Sequence, residues 1–373
     1  MAHKYHKVLP LSNNLNGFIE HDSIDFLLTA DPDRALVPNS ISLEYTVQVF
    51  KTAGTRVTAA IADDIVMESA SVFFDQMRVE VENKGQIENL LNYPRYCHMV
   101  TKSTKQDLDL CNSVDQLEGN FMFRINGQTN IQQLTTQTGG AQENIDPTFV
   151  IAPKICLNRS VGGEYKFGDM GYIKLSTVLS RNEKALFGNF AAATDSSYKL
   201  LNVAVRYETR PVDPSNKLPL MCFSYKSIKA DVNSQHNMIQ AVVPSTSCSG
   251  VIMSFINQTR ENVFRNNSNS CEVLRGIKGL RFLYNSNLGE RIAYELEDIN
   301  EMQKQAISAL SENGTNGVTR RLMATNDAFM LGVDFKSLVN LNNVNTQVSI
   351  DLDSSYANNN HVAYLYFLEV LQL

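Results

Sequence analysis

The stretch Asp195-Ser196-Ser197-Tyr198, followed by Asn202-Val203-Ala204-Val205-Arg206-Tyr207-Glu208, is nearly repeated later in the chain. The second copy is Asp353-Ser354-Ser355-Tyr356, followed by His361-Val362-Ala363-Tyr364-Leu365-Tyr366-Phe367-Leu368-Glu369. Asp and Ser side chains bond nearby backbone N–H groups and so set turns. Each copy therefore reads as a turn before a closing strand. The first ends just before a Pro-rich break and the second at the C-terminus. A shared ending implies two related β-domains, with Asp195 and Asp353 serving the fold and not a ligand.

Strict alternation of apolar and polar residues supports strands buried on one face. Ile24, Phe26 and Leu28 begin the series; Leu43, Tyr45, Val47 and Val49 continue it. Met77, Val79 and Val81, then Val203, Val205 and Tyr207, then Val348, Ile350 and Leu352 show the same period. Such strands, separated by Asn/Gly/Ser turns, predict an all-β protein of antiparallel sandwiches or barrels. Helix-compatible stretches are expected at 93–108, where Pro94 limits the start, and at 298–310, ended by Gly314.

The halves also share an order: strand, turn, helix, loop, strands, Asp-Ser-Ser-Tyr, closing strand. The first half carries extra residues, assigned to the Gln/Thr/Asn-rich stretch 111–146. Loops of that length are usually functional or mobile. Pro211, Pro214 and Pro219 interrupt any ladder, because proline lacks the N–H that a central strand needs. The expected organisation is an N-terminal arm at 1–16, a first β-domain at 17–210, a linker at 211–217 and a second β-domain at 218–373.

Composition bounds the function. Apolar residues make up 43% and charged residues 19%, as in a folded globular protein. The formal net charge of −6 and the lack of a basic block argue against specific nucleic-acid binding, which needs clustered cations. No apolar run suits a membrane helix or a signal peptide. Cys97, Cys111, Cys156, Cys222, Cys248 and Cys271 are scattered without CxxC spacing and read as reduced, buried thiols. The sequons at Asn158, Asn257, Asn266 and Asn313 read as chance matches in an Asn-rich chain.

The segment Ser69-Ala70-Ser71-Val72-Phe73-Phe74-Asp75-Gln76-Met77-Arg78-Val79-Glu80-Val81, followed by Asn92-Tyr93-Pro94-Arg95-Tyr96, resembles a pattern in viral capsid proteins. The lineage is that of adenoviruses, tectiviruses, virophages and polinton-like viruses. Ile24-Asp25-Phe26 and Ala363-Tyr364-Leu365-Tyr366-Phe367 are similar to its first and last strands. The resemblance implies a double jelly-roll major capsid protein: two jelly-roll barrels with short helices in loops, standing upright on the capsid. Three chains would form a pseudo-hexagonal homotrimer that tiles an icosahedral shell. The implied partners are further copies of the chain, neighbouring capsomers, penton and minor capsid proteins, and an internal membrane. The implied location is the virion, after synthesis in the host cytoplasm. Helices and extended loops are expected at the barrel ends, with 111–146 as an outer tower. Residues 1–12 are expected to run beneath the barrels toward neighbours or a membrane.

No catalytic, cofactor or metal site is expected. A cupin-type centre needs H-x-H, which His3, His6, His21, His98, His236 and His361 do not offer. His3 and His6 read as a solvated tail, and His21 and His361 as exposed turns. Carboxylate pairs occur at Asp31/Asp33, Asp63/Asp64, Glu80/Glu82 and Asp351/Asp353. The last two are expected as neighbours on one polar strand face, whereas glycosidase chemistry requires carboxylates facing each other across a cleft. No EF-hand spacing supports calcium at Asp31/Asp33 or Asp351/Asp353. Cys97-His98 is no dyad, since adjacent side chains on a helix diverge. Gly139-Gly140 and Gly162-Gly163 lack a phosphate-loop context, and Arg320-Arg321 reads as a solvated loop. The rival readings are a penton or minor capsid protein, a tandem β-sandwich module that binds carbohydrate or a receptor, and a carbohydrate-active enzyme. The repeat opposes the first, the amide-rich loop the second and the carboxylate spacing the third.

Overall fold

In a computed structural model of the chain, the described residues are 3–12, 14–51, 54–56, 65–104, 123–124, 146–188, 196–285, 291–312, 328–356 and 360–373. They form two compact units. Unit 1 comprises Met1–Cys97, Asp107–Leu220 and Asn262–Asn269; unit 2 comprises His98–Gln106, Met221–Glu261 and Ser270–Leu373. The division is therefore not a single cut in the chain.

Unit 1 is built on eight principal strands: β1 (Lys4–Val8), β2 (Ser23–Leu28), β3 (Ser42–Lys51), β4 (Phe74–Val81), β5 (Gly85–Leu91), β6 (Thr148–Ile151), β7 (Ile173–Leu179) and β8 (Ser197–Pro211). One sheet runs β1-β8-β3-β6 and the other β2-β7-β4-β5, all antiparallel. This is the jelly-roll order. The alternating apolar residues are the ones that point inward: Ile24, Phe26, Leu28, Leu43, Tyr45, Val47, Val79 and Leu175 are at most 1% exposed. Tyr45 sets its ring edge against Phe74 at 5.2 Å, and Phe73 tilts against Tyr198 at 4.7 Å. Aromatic pairs of this kind add about 0.5–1.5 kcal/mol each beyond the area they bury.

Unit 2 repeats the order strand for strand. Its strands are β9 (Met221–Val232), β10 (His236–Val242), β11 (Cys248–Asn257), β12 (Ile277–Asn285), β13 (Arg291–Leu296), β14 (Leu331–Val339), β15 (Asn345–Leu352) and β16 (His361–Gln372). They pair as β9-β16-β11-β14 and β10-β15-β12-β13. Phe282 centres the core, 4.9 Å from Phe335 and 6.2 Å from Phe367.

A longer helix follows the fifth principal strand of each roll: α1 (Tyr93–Thr104), which runs on past Cys97 into residues that belong to unit 2, and α2 (Ile299–Glu312). Pro94 sits in the first turn of α1, where a missing N–H breaks no helical bond. Asp298 opens α2, its carboxylate accepting the Asn300 N–H at 2.8 Å. Met302, Ala306, Ala309 and Leu310 face inward along α2, all 0% exposed. The expectation that helices sit at the barrel ends does not hold for α2, which lies against the outer face of β11 and β14. The reason is side-chain size. A Cβ on Gly332 would meet the Ala306 Cα at 2.9 Å, and one on Gly250 would meet the Ala309 Cβ at 3.0 Å. Missing side chains on the sheet and methyls on the helix allow that approach.

The structure corrects several other sequence expectations. The expected N-terminal arm contains β1, the first strand of the first roll, which pairs Lys4–Val8 with Thr209–Val205. Ser23–Leu28 is thus the second strand and not the first. The Asp-Ser-Ser-Tyr copies also differ. Asp353–Tyr356 is a turn, with the Ser355 N–H donating to the Asp353 carboxylate at 3.0 Å. Ser197 and Tyr198 instead lie inside β8, opposite Phe50 and Val49; Asp195 falls outside the described residues. Ladder pairing overrides the local turn propensity of the first copy. His361 is not an exposed turn residue. It starts β16 between Val232 and Asn257 and is 9% exposed.

Candidate functional site

Among the described residues, no group of three or more His, Cys, Asp or Glu is placed to hold a metal ion. Asp351 meets His236 at 2.8 Å and Asp353 meets Lys278 at 3.0 Å, both on the outer face of unit 2. Hydrogen bonds from Ser355, aided by Lys278, hold the Asp353 carboxyl well below the usual carboxylate range. Asp31 lies 3.7 Å from Lys4. Glu82 falls in the turn beyond β4, so it does not share a strand face with Glu80 as expected; it accepts the Tyr172 N–H at 3.2 Å. Asn158 spends its amide on the carbonyls of Ile41 and Pro153, at 2.8 and 2.9 Å. His21 occupies a left-handed turn at φ 67°. The loop 111–146 apart from residues 123–124 and 146, the Asp63/Asp64 pair, Gly139-Gly140, Asn313 and Arg320-Arg321 fall outside the described residues.

Among the described residues, Cys97, Cys156, Cys222, Cys248 and Cys271 are buried and form no disulfide. Burial pushes the Cys97 thiol up and the Cys248 thiol to about 12, which removes the thiolate a nucleophile needs. Near Cys97 a buried polar group that periodicity does not reveal is knitted together. The Cys156 N–H donates to Glu88 at 2.7 Å, and Arg159 donates to the Tyr96 hydroxyl at 2.8 Å while lying over its ring. Burial raises the Tyr96 phenol, so that hydroxyl stays protonated.

The outer sheet faces are where the units diverge. In unit 1 the outer face of β1-β8-β3 is charged. Glu44 accepts from Lys7 at 3.1 Å and from Arg206 at 2.6 Å. Burial works to raise the Glu44 carboxyl, but these two hydrogen bonds outweigh it and hold the group below its ordinary value. In unit 2 the corresponding β16 and β11 are buried on both faces, whereas β9 leaves Lys229 and Asp231 exposed. Ala363, Leu365 and Phe367 belong to the core, and the residues between them (Val362, Tyr364, Tyr366 and Leu368) are at most 2% exposed as well. Tyr225 on β9 meets Tyr366 edge-on at 5.3 Å.

The two first strands differ even more. β9 pairs with β16 along Met221–Val232, whereas β1 pairs with β8 only along Lys4–Val8. A five-residue edge ladder is close to balance: each hydrogen bond nets about 0.5–1.5 kcal/mol, and ordering each residue costs about 1–2 kcal/mol. Side chains must decide, and the two inward ones are His6 and Val8. The His6 imidazole stacks on the Tyr207 ring at 4.6 Å and 5°, with Nε2 3.0 Å from the Thr209 hydroxyl. Arg34 donates to the same hydroxyl and to the Thr209 carbonyl, each at 2.8 Å. Sequence reading placed His3 and His6 in a solvated tail. A histidine at the parity of Val8, within a five-residue alternation, was the only available signal.

No protein-family model matches the chain, and no curated protein matches it in sequence. Solved structures match it along its whole length. The Faustovirus major capsid protein superposes with a TM-score of 0.62 at 8% identity, covering 100% of this chain and 90% of that one. PBCV-1 VP54, fitted into a reconstruction of the virophage Sputnik, gives 0.59 at 10% identity, covering 100% and 95%. The mavirus major capsid protein gives 0.50 at 11% identity, covering 99% and 87%. These neighbours are double jelly-roll proteins. The same strand order in both units, together with this chain-long likeness, makes the present chain a double jelly-roll protein.

Proposed function

We propose that the protein is a viral major capsid subunit, a structural protein that works by self-assembly without a catalytic step. The observation that carries this reading is the likeness of the entire chain, both units included, to solved double jelly-roll capsid proteins. A physical argument supports it. Three chains with two similar rolls each present six similar edges, so a three-fold assembly fits near-hexagonal packing with few distinct contacts. Closing each sheet pair into a roll also protects strand edges from uncontrolled pairing.

In this reading the working form is a homotrimer that tiles an icosahedral shell, located in the virion after synthesis in the host cytoplasm. Its first partners are further copies of itself. Penton and minor capsid proteins, and an internal membrane, are the neighbours such a shell would add. A net charge of −6 gives no support to binding nucleic acid through phosphate neutralisation. The test is the native mass of the purified protein. A stable trimer is expected; a monomer or a pentamer would overturn the reading.

A further inference from the structure

We propose that β1 is a proton-sensitive latch: protonation of His6 in mildly acidic solution loosens the strand from β8 and uncovers the β8 edge at Val205–Thr209. The inference rests on three observations. First, β1 is a short edge strand that contributes no side chain to the buried core. Its counterpart β9 is paired along its whole length and buries Cys222, Tyr225 and Val232. Second, the inward position nearest the centre of β1 holds an imidazole and not an apolar group. It is seated flat on Tyr207 and against the Thr209 hydroxyl. Third, that hydroxyl already accepts a hydrogen bond from Arg34. The arrangement is satisfied when the Thr209 hydroxyl donates its own proton to a neutral His6 Nε2. A protonated imidazole can only donate there, and it brings a second cation to an oxygen that Arg34 already holds.

The surroundings favour the neutral ring. Burial lowers the His6 pKa, Lys4 on its own strand and Arg34 on the short strand Arg34–Leu36 lower it further, and Asp31 opposes them. From β8 the ring faces Tyr207 and Thr209; Glu208 turns to the other face, where it meets His3 at 3.3 Å. The folded pKa therefore lies below 6.5, the value for a free imidazole. A group of this sign supports β1 fully above its unfolded pKa and loses that support as pH falls through 6.5 toward the folded value.

Hydrogen exchange on the full chain, read by mass spectrometry at pH 7.5 and pH 5 and corrected for intrinsic rates, tests the latch. The expected result is a several-fold loss of protection over residues 4–8 at the lower pH, with β9 as an internal reference that holds. His6→Phe keeps a flat ring on Tyr207 but cannot titrate, so it should abolish the difference. His3→Gln should leave it in place. Should His6→Phe fold poorly, His6→Gln is the second variant that does not titrate. Unchanged protection in the native protein at pH 5, or an equal loss in the variants that cannot titrate at position 6, would overturn the proposal.

Discussion

The last strands of the two rolls, β8 and β16, occupy the same place in the same topology and are written differently. In β8 the inward residues are Tyr198 and Leu200, then Val203, Val205 and Tyr207, with a register shift between Leu201 and Ala204. The bulge, with Asn202 at φ 50°, moves the inward set from even to odd positions and leaves an outer face that carries Lys199 and Arg206. In unit 2 the shift in the corresponding pairing falls on β11, between Cys248 and Gly250, so β16 itself carries no bulge and apolar side chains fill both its faces. Topology sets which strands are neighbours. It does not set what a sheet's outer face must contact, and in these units that second property has diverged further than the first.

That contrast can be attacked by mutation, starting where the burial is deepest. Tyr225→Ala removes a fully buried ring from β9 and should lower stability by about 3–5 kcal/mol, read by chemical denaturation. A loss below about 1 kcal/mol would mean that the outer face of that sheet does not depend on apolar packing. Gly332→Val drives side-chain atoms into the Val251 carbonyl, which would lie 2.7 Å from the added Cβ, and into α2. It should cost about 1–3 kcal/mol or more and shift thermal unfolding downward. Gly85→Ala is the control for the backbone, because its Cβ would meet nothing within 4 Å and only the positive φ of 72° is strained.

The effects on unit 1's outer surface should be smaller. His6→Ala removes a stacked ring at a half-exposed edge and should cost under about 1 kcal/mol at neutral pH. A loss as large as that of Tyr225→Ala would erase the distinction between β1 and β9. Glu44→Gln should cost a few tenths of a kcal/mol, fading with added salt, as expected of an exposed ion pair. The folded Glu44 pKa is depressed, so its contribution is present above the unfolded carboxylate pKa and is lost as pH falls through the folded one. Denaturation midpoints of the native and Glu44→Gln proteins should therefore converge in acid.

Much of the fold was legible because alternation records burial directly. Leu43 to Val49, Met77 to Val81 and Val348 to Leu352 point inward as their period says. Three things were harder to read. β1 is too short, and too rich in Lys and His, to display a period. Tyr198 and Tyr356 share a tetrapeptide, yet one lies within a ladder and the other caps a turn against Gly276, because pairing with Val49 outweighs local preference in the first. α2 betrays its helical spacing, but its seat on the sheet depends on Gly250 and Gly332, which are distant in sequence and unremarkable alone. The candidate surface shares this difficulty. Lys7, Glu44 and Arg206 meet only because three separate strands become neighbours.

The eight residues Asn262–Asn269 belong to unit 1 although the chain has already entered unit 2. Within unit 1, the Arg95 guanidinium donates to the Ser268 carbonyl, and Asn269 donates to the Lys184 carbonyl at 3.1 Å. On a ribosome this orders events in time. At roughly 5–20 residues per second, the stretch from Leu220 to Asn269 takes seconds to emerge. Until then Arg95, which is 1% exposed in the finished protein, has no Ser268 carbonyl to meet. The first roll is thus completed only while the second is being made, and a nascent chain cut after Leu220 would lack a piece of the domain it seems to contain.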